Sequence, residues 1–198
     1  MRRLVSVLMI PLLLALGACG SETGGESQKI LAHHAALEWF AWNGTLRVDY
    51  GDRVLDFGLE CETEGRGGPD ERTRMRVTSP ELLRGVSATL TGQADPSTQK
   101  ASLEYEGLIL ETGKLPGTGL SPLELVPLMQ EQWAGGYVIA ETAERLKGET
   151  VRRVSFSKGN MEITAWFASD RAPLICEVSA DGVLVARLTV DAFSTGSE

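Results

Sequence analysis

Alternating apolar and charged residues recur along most of the sequence after its first forty residues, and this period of two constrains the fold more than any other feature. Between residues 42 and 50, for example, Leu46 and Val48 alternate with Arg47 and Asp49. Successive side chains of a strand point to opposite faces, so this run predicts a strand with one buried and one solvated face. The chain is therefore predicted to be mainly β, with some helix (α+β).

Eleven such runs are predicted to be strands. Two-residue turn signals stand between several of them, most clearly Gly51-Asp52 and Asp181-Gly182. The runs cover residues 42–50, 55–61, 72–77, 86–91, 101–105, 108–112, 137–145, 151–157, 161–168, 173–180 and 183–191. Short strands joined by tight turns favour an antiparallel meander that curls over its own apolar face.

Three segments interrupt the strands and are predicted to be helical. Residues 28–40 carry apolar residues without strand alternation, which indicates an amphipathic N-terminal helix. Residues 79–85 place a proline and a final glycine around a single turn. The strongest signal is Ser-Pro-Leu-Glu at 121–124, a capping box that predicts a helix over 121–135. Pro127 lies inside that helix and predicts a kink or break, so this helix is a candidate lid.

The N-terminus has the parts of a bacterial lipoprotein signal. Arg2 and Arg3 precede the apolar segment 4–16, and small residues flank Cys19 as in a lipobox. We predict a signal peptide over residues 1–18 and lipidation of Cys19, because two acyl chains hold a protein stably at a membrane. The alternative is an ordinary secretory signal in which the cysteine is incidental.

The segment after the lipobox predicts how the rest of the chain is held. Residues 20–27 are Gly, Ser, Thr and Glu, which cannot bury apolar surface, so residues 19–28 are expected to form the lipid anchor and a flexible tether. Residues 29–198 are predicted to form one domain. This places the protein on the extracytoplasmic face of the cell membrane, or at the outer membrane in a host that has one.

Acidic residues outnumber basic ones, with 27 Asp and Glu against 19 Lys and Arg. Removal of the predicted signal peptide takes away two arginines and no acids, so the mature chain is more negative still. Such a chain is repelled by the phosphates of nucleic acids and by anionic lipid headgroups. A nucleic-acid partner is therefore not expected.

The order of elements resembles a known family. An arginine-rich strand runs into the Pro-Glu-x-Leu-x-Gly segment Pro80–Gly85, and a meander and the helix that starts at Ser121 follow. In this order the chain resembles the LolA-like lipoprotein-carrier superfamily, which includes lipidated, GerS-like germination lipoproteins of spore-forming bacteria. The resemblance implies an incompletely closed antiparallel β-barrel of about eleven strands with an N-terminal helix, a helical lid and an apolar concavity that accepts acyl chains.

Aromatic residues on the apolar faces of the predicted strands, with two residues of the second helix, are the candidate lining of such a cavity. They are Trp42, Phe57, Tyr105, Met129, Trp133, Tyr137, Phe156 and Phe167. An ordinary core is the competing interpretation, because apolar strand faces fill any small barrel. The two interpretations differ in whether a dry volume the size of a ligand remains.

Cys61 and Cys176 are the two cysteines left after the predicted anchor, and both fall on apolar sides of their strands. Outside the cytoplasm a disulfide between them would close a long loop. Two small buried thiols are the alternative. The spacing does not decide between them.

Residues able to carry catalysis are few. His33 and His34 are neighbours on the first predicted helix, so their side chains diverge, and both are expected to face solvent. Glu60 and Glu104 could form an acid pair only if their strands met, and their charged faces favour a solvated surface. No metal-binding or nucleophile motif occurs, so neither an enzyme nor a cofactor nor a metal is expected.

A cluster of charge lies on the third predicted strand. Arg72, Arg74 and Arg76 share one strand face, and the preceding strand carries acids at Asp56, Glu60 and Glu62 on its charged side. The arrangement predicts cross-strand ion pairs rather than a phosphate-binding ridge.

Two functions follow from these observations. The first is a membrane-anchored, non-catalytic lipoprotein that binds an apolar ligand such as a lipid or a lipoprotein acyl chain. The alternative is a protein-interaction lipoprotein that binds and regulates a cell-envelope enzyme, as the GerS-like resemblance would imply for spore cortex processing.

Overall fold

The computed structural model of the chain describes residues 25–92, 100–113 and 120–196, without the side chains of 110–113. Its helices are α1 (Gly25–Ala35), a 3₁₀ turn (Glu81–Leu83) and α2 (Pro122–Gly135). Its strands are β1 (Trp39–Asp49), β2 (Val54–Glu64), β3 (Arg72–Ser79), β4 (Ser87–Thr91), β5 (Lys100–Tyr105), β6 (Leu108–Gly113), β7 (Tyr137–Leu146), β8 (Glu149–Lys158), β9 (Met161–Phe167), β10 (Pro173–Ala180) and β11 (Val183–Thr195).

All eleven strands belong to one antiparallel sheet with the order β6-β5-β4-β3-β2-β1-β11-β10-β9-β8-β7. The first and last strands of the chain therefore pair at the centre of the sheet, and β6 and β7 are its edges. The sheet curls around the helices but hydrogen bonds do not close it. The predicted fold class, an incompletely closed antiparallel barrel of about eleven strands with an N-terminal helix and a second helix over it, is confirmed.

The period of two sets the two faces of the sheet. In β1, Leu46 and Val48 are fully buried, whereas Arg47 and Asp49 are exposed. Leu46 pairs across the sheet with Phe57 of β2 and with Leu188 of β11, so apolar side chains of adjacent strands meet on one face. This inner face and the two helices enclose the core.

The N-terminal helix ends earlier than the sequence predicts. We expected a helix over residues 28–40, but α1 ends at Ala35, and Trp39 and Phe40 begin β1. Phe40 pairs with Thr63 on one side and Thr195 on the other, and these strand ladders outweigh local helix preference. α1 also begins at Gly25, inside the segment predicted to be a tether, while Cys19 lies outside the described residues.

The second helix continues through its internal proline. A kink or a break is predicted at Pro127, but α2 runs unbroken from Pro122 to Gly135, so the break does not occur. Proline removes one backbone hydrogen bond. The fully buried side chains of Leu125, Val126 and Met129 around it keep the helix against the core.

Candidate functional site

Six of the eight residues predicted to line a cavity meet in one apolar cluster between the inner face of the sheet and α2. In each of them 7% or less of the side chain is exposed, and four are fully buried. The six are Trp42 of β1, Phe57 of β2, Met129 and Trp133 of α2, Phe156 of β8 and Phe167 of β9. In this structure they are part of the hydrophobic core, together with other side chains of α2.

The two remaining predicted residues, Tyr105 and Tyr137, lie outside the cluster. Tyr137 is 74% exposed and pairs with Ser157, whereas its neighbour Val138 pairs with the buried Phe156. The register therefore turns Val138 inward and Tyr137 outward. Tyr105 is 43% exposed because it ends β5 at a hairpin.

A pocket of about 250 Å³ opens beside α2, between that helix and the inner face of β1–β3. Its wall combines apolar and polar groups. The apolar part includes Phe40, Pro127 and Ala134, and the polar part includes Thr63, Arg66, Glu71, Thr73, Gln130 and Glu131. The pocket reaches the inner face of the sheet at Phe40, which is fully buried. It therefore leads from the surface to the core along α2.

Arg66, in the connection between β2 and β3, is the central polar group of this pocket. Its Nη2 donates a hydrogen bond to the carbonyl oxygen of Gln130 at 2.5 Å, and its guanidinium carbon lies 5.0 Å from the centre of the Phe40 ring. Its Nη1 is buried without a hydrogen-bond partner among the described residues. Burial lowers the pKa of the guanidinium, against the opposing effect of Glu71. Arg66 is thus a largely buried cation whose hydrogen bonds are only partly satisfied within the described residues.

Two further side-chain contacts tie α2 to the sheet. Gln130 Nε2 donates to Cys61 Sγ at 3.4 Å, and Glu131 forms an ion pair with Lys158 of β8. With the Arg66 contact, these bonds hold successive residues of the helix from both sides. Movement of α2 away from the core would break them together.

His34 of α1 is fully buried, so the expectation that both histidines face solvent is wrong for this residue. Its ring packs between Trp133, Phe167 and Phe193, with centroid distances of 5.9, 5.5 and 5.8 Å. Nε2 lies 2.9 Å from the carbonyl oxygen of Arg171. A carbonyl only accepts, so Nε2 carries the proton of the neutral ring. Helix spacing alone cannot reveal this, because it depends on strands far along the chain.

The two cysteines are unpaired and buried, so the disulfide alternative is wrong and the buried-thiol alternative is confirmed. Cys61 is on β2 and Cys176 on β10, and β1 and β11 lie between these strands. Three strand spacings of about 4.8 Å along the sheet exceed the reach of a disulfide. Burial raises the pKa of each thiol to about 12.

The outer face of the sheet carries the predicted cross-strand ion pairs. Arg74 lies 3.6 Å from Glu62, and Arg76 lies 3.5 Å from Glu60. Asp56 pairs instead with Arg47 on the other side, at 3.4 Å. Glu60 and Glu104 are not brought together, because β3 and β4 separate their strands.

A second cleft, of about 390 Å³, lies on this outer face over β11, β1, β2 and β3. Its floor is formed by small side chains, and the ion pairs stand along one side. Lining residues include Ala41, Asn43, Ala192, Ser194, Glu60, Glu62, Arg74 and Arg76. The sequence shows the charges of this cleft but not the volume, which depends on small residues meeting across β1 and β11.

Within residues 25–92, 100–113 and 120–196, no three His, Cys, Asp or Glu side chains are grouped so as to hold a metal ion. In the same residues no helix has both the length and the apolar character needed to cross a membrane.

Comparison with solved structures shows the kind of fold. The chain is similar to a DUF1329 family protein from Desulfovibrio piger, with a TM-score of 0.51 and 10% identity over 86% of this chain and 90% of that one. LprF from Mycobacterium bovis (TM-score 0.45, 13% identity, 89% of this chain and 96% of that chain) and a LolA superfamily protein from Nitrosomonas europaea (0.39, 12%, 87% and 94%) also match. No protein-family model and no curated protein matches this sequence. At such identities the likeness concerns the fold alone.

Proposed function

We propose that the protein is a non-catalytic lipoprotein, anchored to a membrane through Cys19, that binds an apolar ligand such as a lipid or a lipoprotein acyl chain. One observation carries this proposal: a pocket of about 250 Å³ leads along α2 to an apolar core in a barrel that is not closed. Concave, mostly apolar sites with a few polar groups are typical of small-molecule binding.

The arrangement of α2 explains how a packed core could accept a chain. Side chains of this helix, above all Met129 and Trp133, occupy the space enclosed by the curled sheet. A ligand that displaces α2 would cover the apolar surface of the sheet that the helix covers now. Burial of the ligand would therefore offset part of the free energy needed to move α2 away from the sheet. The polar contacts of Arg66, Gln130 and Glu131 mark the closed position of the helix.

Native mass spectrometry of protein purified from its own envelope in mild detergent tests the proposal. Bound lipid is expected as an added mass on the folded protein. Ala134→Trp places a large side chain in the pocket beside α2 and should abolish that mass, because Ala134 lines the pocket. Ala192→Trp adds the same side chain to the outer cleft and should leave it unchanged. Protein that is uniformly empty would contradict lipid binding.

A second function is favoured by the outer cleft. A partner protein with paired charges could bind over Glu62 and Arg74, whose side chains are partly exposed and 3.6 Å apart. In that case Ala192→Trp, and not Ala134→Trp, should weaken cross-linking to a cell-envelope enzyme in the native cell. Cross-linking that recovers no stoichiometric protein would exclude this alternative.

A further inference from the structure

The large apolar side chains that the described residues expose are confined to one end of the strands. Because every neighbouring pair is antiparallel, the turns 50–53, 80–86, 106–107, 159–160 and 181–182 and the start of β7 all lie at the same end of the sheet. The exposed large apolar residues are Val54, Leu55, Leu82, Tyr105, Leu108, Ile109, Tyr137, Ile139, Val183 and Leu184. Each of them lies in, or within a few residues of, one of these connections. We call this set the apolar rim.

The opposite end of the barrel has a different character. Its described turns between strands are 65–71, 147–148 and 168–172, and none of them contains a large apolar residue. Leu37, in the connection from α1 to β1 at the same end, is only partly exposed. They carry mainly Gly, Ala, Ser and charged residues. The asymmetry therefore belongs to the two ends of the fold and is not a general property of its turns.

The rim residues also follow one another around the barrel. In sheet order, the β5–β6 hairpin presents Leu108 and Ile109, the β3–β4 connection Leu82, the β1–β2 hairpin Val54 and the β10–β11 hairpin Val183. The start of β7, at the other edge of the sheet, exposes two more large apolar residues, Tyr137 and Ile139. Five of the six connections at this end thus expose a large apolar side chain, and extended apolar surfaces of this kind mark interaction sites.

We propose that the apolar rim is a membrane-contact surface that lies against the bilayer in which Cys19 is anchored. This rests on the proposed anchoring. The rim includes two tyrosines, Tyr105 and Tyr137, which are 43% and 74% exposed. Tyrosine is enriched where a protein meets the membrane–water interface, because its ring is apolar and its hydroxyl is polar.

The start of α1 puts the rim within reach of the anchored residue. The Ser27 N–H donates to Glu141 Oε2 at 3.0 Å, which fixes the first turn of α1 beside the middle of β7. Glu141 is four residues from Tyr137, or about 13 Å along the strand at about 3.3 Å per residue. The six residues from Cys19 to Gly25 can span about 20 Å when extended. The connection is therefore long enough for the rim to touch the bilayer.

The charges of the rim turns indicate what kind of lipid surface the apolar rim contacts. The rim turns carry Asp52, Glu81, Glu106 and Asp181 against Arg53 and Arg84. This balance does not attract anionic lipid, in contrast to the polybasic surfaces that do. The contact is therefore apolar, and it should form on zwitterionic lipid.

The orientation of the anchored protein tests this proposal directly. The full lipidated chain is placed in phosphatidylcholine vesicles that contain a nitroxide-labelled phospholipid, and a fluorophore is attached to one introduced cysteine. Asp52→Cys reports on the rim, and Lys147→Cys is the matched control at the opposite end; both positions are exposed, while Cys61 and Cys176 are buried. We expect at least threefold stronger quenching at position 52. Equal or reversed quenching overturns the proposal.

A rim variant separates apolar contact from the effect of the tether. Replacement of Leu108, Ile109, Val183 and Leu184 by Ser should reduce quenching at position 52 to that at position 147, with the protein still on the vesicles. Unchanged quenching overturns the proposal. A protein that is dimeric in detergent, and that these four replacements make monomeric, also overturns it, because the rim would then be an interface between two copies of the chain. Absence of the diacylglyceryl mass on Cys19 would overturn both the anchor and the rim, whereas equal quenching with that mass present overturns the rim alone.

Discussion

The buried ring of His34 makes the stability of the fold depend on pH. Desolvation in the core is the main reason that its pKa is lowered from 6.5 to about 4, and the charges of Arg66, His33 and Arg171 act in the same direction. The hydrogen bond to the Arg171 carbonyl opposes this shift without cancelling it. The ring is therefore neutral in the folded protein at neutral pH.

The sign of the effect follows from proton linkage. In the unfolded chain this histidine titrates near its ordinary value, so between pH 6.5 and 4 the unfolded state binds more protons than the folded state. Stability is fully present above pH 6.5 and is lost as the pH falls towards 4. The shift corresponds to about 3 kcal/mol at its limit, and to about 2 kcal/mol between pH 7.5 and pH 5.

Urea unfolding at pH 7.5 and pH 5 measures this contribution. His34→Gln keeps a side-chain donor of similar length but removes the titration, so its loss of stability between the two pH values should be about 2 kcal/mol smaller than that of the unmodified chain. His33→Gln, on the adjacent and partly exposed position, should keep the full loss. If His34→Gln loses as much stability as the unmodified chain, the buried neutral ring is not the cause.

Three other predictions follow from the structure. Cys61 and Cys176, whose thiol pKa values are raised to about 12 by burial, should not react with a maleimide at pH 7.5 until urea unfolds the chain, and fast labelling of the folded protein would contradict their burial. Gly44→Ala would place its Cβ 2.2 Å from a backbone carbonyl oxygen of β11, so unfolding should become easier by about 1–3 kcal/mol, whereas Gly135→Ala, with nothing within 4 Å, should not destabilise the protein. Arg66→Ala removes a charged hydrogen bond to α2 worth about 1.5–3 kcal/mol and should speed hydrogen exchange in that helix about ten- to hundredfold, and unchanged exchange would show that the apolar contacts alone hold it.

Features that repeat within a few residues could be predicted from the sequence. All eleven predicted strands occur, because alternation such as that of Leu46 and Arg47 reflects the two faces of a sheet directly. The turn signal Asp181-Gly182 marks a real hairpin, with φ values of 50° and 80° that suit these residues. Ion pairs between β2 and β3 followed from the same period.

Features that depend on distant parts of the chain could not be predicted. Burial of His34 is produced by Phe167 and Phe193, more than a hundred residues further along. Tyr137 was assigned to the inner face, but its pairing with Ser157 turns it outward, and a register irregularity follows at once between Val138 and Ala140. Irregularities of this kind leave no clear trace in a single sequence.

The pocket beside α2 also could not be predicted from the sequence. Its position depends on Arg66 from a turn reaching a backbone oxygen of Gln130 in a helix, a contact across 64 residues. The sequence identified α2 as a candidate lid but gave no indication of the group that holds it. Only the packing of the helix against β1–β3 brings these residues together.

The pairing of β1 with β11 has a consequence for synthesis and for truncation. Without β11, no ladder of the sheet would join β1–β6 to β7–β10. Completion of the sheet must wait for β11, and such non-local pairing is intrinsically slow. A truncation that removes β11 therefore deletes a central strand of the sheet, not an edge strand.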